Sequence, residues 1–104
     1  MNQTPENQPQ WWLASLGRTL VWARLHVLEA GTAEILDSDG NTTAYDSADS
    51  ARAALFDADF VAFGGLDEED ALARGFSLAE VAPPQASSDE TLVARMVQVL
   101  GARA

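Results

Sequence analysis

The chain has 104 residues, with 16 Asp and Glu against 6 Lys and Arg, a formal net charge of -10, 47% hydrophobic residues and no cysteine. That length and apolar content suit one small folded domain rather than a disordered chain. The missing cysteines exclude disulfides, thiolate zinc sites and a cysteine nucleophile, and the acidic surface argues against direct contact with nucleic acid or an anionic membrane.

The opening ten residues, MNQTPENQPQ, are polar and read as a flexible tail, so the domain is expected over 11–104. They lack the basic start of a secretory signal, and the apolar stretch after them is interrupted by Arg18, Arg24 and His26 before reaching spanning length. A cytoplasmic location is the expectation. Trp11-Trp12 reads either as an exposed aromatic anchor or, at better odds, as packing on the core.

From Thr19 to Glu29 the residues alternate, with Val21, Ala23, Leu25 and Val27 on one face and Trp22, Arg24, His26 and Leu28 on the other. This predicts a strand with one buried face. Trp12, Leu16, Leu20, Ala23 and Val27 also recur at near-helical spacing, but Gly17 favours a break. The turn signals Ala30-Gly31 and Asp39-Gly40 then divide three antiparallel strands at about 19–29, 32–37 and 42–46.

Asp46 or Ser47 caps a helix expected over 48–59, with Ala51, Leu55 and Ala58 on its inner stripe and Phe56 and Phe60 on a second side. Phe60 to Phe63 continues as an extended segment. A second helix over 67–74 follows, capped by Asp67 and ended by Gly75, and Phe76 to Val81 reads as a fourth strand. After a linker at 82–88, Ser87 and Glu90 have capping-box spacing in front of a last helix at 89–101. The fold class is therefore α+β: a three- or four-stranded antiparallel sheet covered by helices.

Four constellations are candidates for function. Asp37-Ser38-Asp39-Gly40-Asn41 resembles the first half of an EF-hand calcium loop, but Thr42 replaces the turn glycine and Ala48 the bidentate Glu, so a hairpin turn is the better reading. His26, the one histidine, falls opposite Glu34 if the first hairpin has a three-residue turn, with Tyr45 near Glu34 on the next strand; these could form an acid-base site or be ordinary cross-strand pairs. The stretch 57–70 holds Asp57, Asp59, Asp67, Glu68, Glu69 and Asp70 with no basic residue. The last helix shows a wide apolar face through Leu92, Met96 and Val99, open to a second copy of the chain or to packing in its own core.

These features make a small protein-binding domain, adaptor or regulatory, the leading expectation. Its contact would be the 57–70 carboxylates on a basic protein surface, and it would need no metal or cofactor. The alternatives are an enzyme or metal-dependent module using His26 or those carboxylates, and an acidic mimic of nucleic acid.

Overall fold

The structure is a computed structural model that describes residues 9–100. The tail expected at 1–10 lies mostly outside the described residues, but its last residue is already sheet. Gln10–Leu16 forms β1, which a two-residue turn at Gly17-Arg18 joins to β2 (Thr19–Val27), with Gln10 opposite Leu25 and Leu16 opposite Thr19. This strand is absent from the sequence reading, which began its sheet at Thr19.

β3 (Ala33–Leu36) and β4 (Thr42–Tyr45) complete a meander. The β2–β3 and β3–β4 turns use one device. Leu28 N-H donates to Thr32 O with Gly31 at φ 92, and Asp37 N-H donates to Asn41 O with Gly40 at φ 88. Each closes a three-residue loop whose last position is left-handed, where glycine carries no Cβ penalty.

Helix α1 (Ala48–Asp57) starts at Ser47, whose hydroxyl accepts from Ser50 N-H at 3.1 Å. After it come β5 (Val61–Ala62), a 3-10 turn at Phe63–Gly65, and α2 (Glu68–Ala73), capped by Asp67. The strand expected over 76–81 is not formed. Ser77 instead caps a 3-10 turn at Leu78–Glu80 in a capping box, because its hydroxyl and the Glu80 carboxylate satisfy the local amides that a ladder would have used.

Helix α3 covers only Asp89–Ala94 and is capped by Ser88, one residue later than expected. The helix read over 89–101 is therefore corrected. The chain leaves it at Arg95 and enters β6 (Val97–Val99), which pairs with β2, Thr19 opposite Val99 and Val21 opposite Val97. Nor does the segment at 82–88 swing α3 outward: Arg95 Nη1 donates to Gln85 O at 2.6 Å, Ala86 packs against the core and Pro84 is buried.

The sheet order is β4-β3-β2-β1-β5, with β6 beside the first half of β2 where β3 does not reach. It thus has five to six strands, not three or four. Both faces carry buried residues, the α1 side only from the row of Trp12 and Ala23 onward, which corrects the expectation of one buried face on β2. On one side Trp12, Ala23, Leu25, Ala33 and Ile35 pack under Ala51 and Leu55 of α1. On the other, Leu13, Leu20, Trp22 and Leu36 meet Ala71 of α2, Phe76, Leu92 and Met96. Trp12 belongs to the core, and Trp11 lies edge-on to Trp22 with ring centroids 6.0 Å apart. Ala58, placed on the inner stripe of α1 by its spacing, caps the helix and is exposed.

Because Leu55 of α1 is buried against the sheet whereas Asp57 is exposed, Leu55→Ala should cost about 2–4 kcal/mol in a urea titration. Asp57→Ala should cost little. Equal, small effects would mean that α1 presents another face to the sheet.

Candidate functional site

The acidic stretch begins at the end of α1. Asp59 has φ 69, the one non-glycine residue in the left-handed region among those described. Phe60 N-H reaches Leu55 O at 2.9 Å and Asp59 N-H reaches Phe56 O at 3.0 Å, the paired bonds of a Schellman motif. The chain then runs through β5 beside Trp12 and Leu13 and turns at Gly64-Gly65 into α2. All six acidic side chains from Asp57 to Asp70 are exposed.

They are not equivalent. Asp67 caps α2 by accepting from Asp70 N-H at 2.8 Å. Glu68 reaches across to the next turn, its carboxylate accepting from Ser77 Oγ at 2.8 Å and Leu78 N-H at 3.0 Å. These two acids hold the backbone. Asp57, Asp59, Glu69 and Asp70 have no such employment, since no described hydrogen bond or ion pair uses their carboxylates.

None of the described arginines forms an ion pair with these four carboxylates. Arg18 pairs with Glu80, Arg24 with Asp89 and Arg52 with Asp49, while Arg74 and Arg95 donate to the backbone carbonyls of Asp70 and Gln85. The dipole rewards Glu69 and Asp70 in the first turn of α2 but opposes Asp57 at the end of α1. Asp59, likewise, occupies a conformation that suits glycine better.

His26 does lie opposite Glu34, as a three-residue turn requires. Tyr45 does not join them: it pairs with Ala33 and packs on the α1 side, and Ala44 is the residue opposite Glu34. No described hydrogen bond links His26 to Glu34. Asp37 is spent on its own turn, its Oδ1 accepting from the N-H groups of Asp39 and Asn41 at 3.0 Å each. Among the described residues no three His, Asp or Glu side chains converge as a metal site would require.

The contact face expected from Leu92, Met96 and Val99 does not exist as one helix face. Leu92 and Met96 are buried in the core, whereas Val99 is exposed on β6. A groove of about 460 Å³ runs past Ala14, Ser15, Phe56, Asp59, Phe60, Val61 and Arg74 at the edge of β1, so an unpaired carboxylate stands beside exposed apolar surface. A hollow of about 340 Å³ lies between Leu36, Thr42 and Val93, and there Asp89 is already tied to Arg24. Neither hollow brings a nucleophile to a base.

No protein-family model matches the chain, and neither a curated protein nor a solved structure is similar to it. Among the described residues no helix is long and apolar enough to cross a membrane.

Proposed function

We propose that this chain is a protein-binding domain that docks on a basic protein surface through the carboxylates of Asp57, Asp59, Glu69 and Asp70. The observation behind this reading is that these four acids are exposed and, among the described residues, unpaired, and that one of them, Asp57, stands at a helix end that disfavours its charge. An acid at a helix C-terminus costs about 0.3–1 kcal/mol, and at Asp59 the left-handed backbone, which Asp and Asn tolerate alike, asks for no charge. Neither charge is explained by stability. The charges would act chiefly on association, steering a basic partner toward the groove between Phe56 and Arg74.

The test separates charge from folding. A variant carrying Asp57→Asn, Asp59→Asn, Glu69→Gln and Asp70→Asn keeps the Asp67 cap and the Glu68 bridge, and asparagine is tolerated in the left-handed region. Losing the favourable charges of Glu69 and Asp70 at the start of α2 is partly offset by relieving Asp57 at the end of α1, so the variant should remain folded and lose no more than about 1–2 kcal/mol. Its association rate with a basic partner, isolated from native lysate at low salt, should fall about tenfold at low ionic strength, and the difference should shrink as salt is added. Equal rates for the two proteins at low salt would leave the stretch as a solvated surface.

A further inference from the structure

The exposed apolar side chains are concentrated on one half of the sheet. Paired residues share a face, so Leu16, Thr19 and Val99 form one row across β1, β2 and β6, and Ala14, Val21 and Val97 form the next. The third row, Trp12 and Ala23, is where α1 begins to cover the sheet. Beyond it no described helix packs on the first two rows: Leu16 is 73% exposed, Val97 48% and Val99 76%, while Ala14, Thr19 and Val21 between them are half-buried. No residue of either row carries a charge.

The backbone of β6 is open as well. Leu100 N-H donates to Arg18 O, and Trp22 N-H donates to Met96 O, both at 2.8 Å. By the alternation of an antiparallel ladder, Gln98 then directs its N-H and C=O toward Leu20, and Val97 and Val99 direct theirs away from β2. No described hydrogen bond uses those outward groups. Val-Gln-Val also lacks the charge, proline or bulge that usually blunts a free edge.

We infer that β6 is the interface of a homodimer, in which two copies pair edge to edge, antiparallel, about a two-fold axis at Gln98. An open ladder calls for a strand as occupant. In this register Val97 of each copy faces the second copy's Val99, so every outward N-H finds a C=O, and the uncovered rows of the two copies become one continuous apolar face. The contact is self-complementary and closed. A second copy fits better than a basic segment, because β6 and the rows beside it hold no carboxylate for such a segment to meet. The carboxylates proposed to bind the basic partner belong to other elements, and the groove beside them meets these rows only at Ala14, on the β1 side of β2 and away from β6.

A three-residue strand with its flanking rows is a small interface, near or below the lower bound of about 1,200 Å² for stable complexes. The dissociation constant should therefore be on the order of 10–100 µM. Both copies are strongly negative, so added salt should tighten the dimer several-fold by screening their repulsion. The contact with a basic partner should respond in the opposite direction.

Light scattering and sedimentation of the full chain, taken across and well above that concentration range, should show the mass rising from one chain toward two. Val99→Lys should remain monomeric throughout with an unchanged far-UV spectrum. Val99→Pro should do the same, since it removes an outward donor and leaves the bonds to β2 in place. In the parent protein, amide exchange at Val97 and Val99 should slow as concentration rises. A parent that stays monomeric at the highest concentration, or a dimer that survives in both variants, would overturn the inference. So would exchange at these two amides that does not respond to dimerisation, a readout that holds even if a variant fails to fold.

Discussion

Met96→Asp should abolish cooperative folding. Met96 is fully buried at the junction of α3 and β6, in the cluster that contains Leu20, Trp22 and Leu92, and its carbonyl accepts the Trp22 N-H. An aspartate there must either stay ionised without a partner or take up a proton, and each route costs several kcal/mol on top of the lost packing. Against a total stability of about 5–15 kcal/mol for a domain of this size, that is enough to depopulate the native state. Met96→Leu, close in volume, should cost less than about 1.5 kcal/mol. Far-UV circular dichroism and a thermal melt distinguish the two. A cooperative melt for Met96→Asp within a few degrees of the parent would mean that Met96 lies on the surface, as it would had the helix continued beyond Ala94.

That helix shows where local pattern runs out. Leu92, Val93, Met96, Val97 and Leu100 recur at helical spacing, so periodicity alone favours a single helix to the end. The residues that break it are Val97 and Val99, β-branched and two apart, which suit a strand. Their preference is realised only through pairing with β2, a partner nearly eighty residues earlier in the chain. The same ambiguity conceals β1, where Trp12, Leu16 and Leu20 mimic a helical stripe although a two-residue turn separates Leu16 from Thr19. Several local signals read correctly, although the cap at Ser87 fell one residue early and Ala58 is not on the buried stripe. Ser47 and Asp67 cap the helices expected of them, and Gly31 and Gly40 close the expected hairpins.

The functional candidates divide along the same line. The acidic stretch is plain from composition, but the difference between Asp67 and Glu68, which brace the backbone, and the four unpaired acids depends on Ser77 and Leu78 folding back toward α2. No spacing in the sequence announces that contact. The pairing of His26 with Glu34 follows from the turn length, whereas Tyr45 misses them because the second three-residue turn brings Ala44, not Tyr45, opposite Glu34. The apolar rows at Leu16, Val97 and Val99 are legible only once β1 and β6 are known to flank β2.

Trp22→Ala should be the most damaging simple truncation, at about 3–5 kcal/mol. Trp22 heads the fully buried side chains and stands in the middle of β2, the strand that pairs with β1, β3 and β6. Its ring lies edge-on to Trp11 and to Phe63, with centroids 6.0 and 5.2 Å away. Removing it empties a cavity that α2, α3 and the strands cannot all close around, because each is fixed by its own caps or ladder. Trp22→Phe should cost much less than its volume loss suggests. Among the described residues the indole N-H of Trp22 is buried with no acceptor, and deleting an unsatisfied donor returns part of a penalty of about 1–3 kcal/mol. Trp11→Ala, which removes a half-buried neighbour, should fall between the two. Urea titrations of the three variants test the order. If Trp22→Ala proved no worse than Trp11→Ala, the centre of this face would lie nearer the β1 edge, toward Trp11 and Phe63, than under α3.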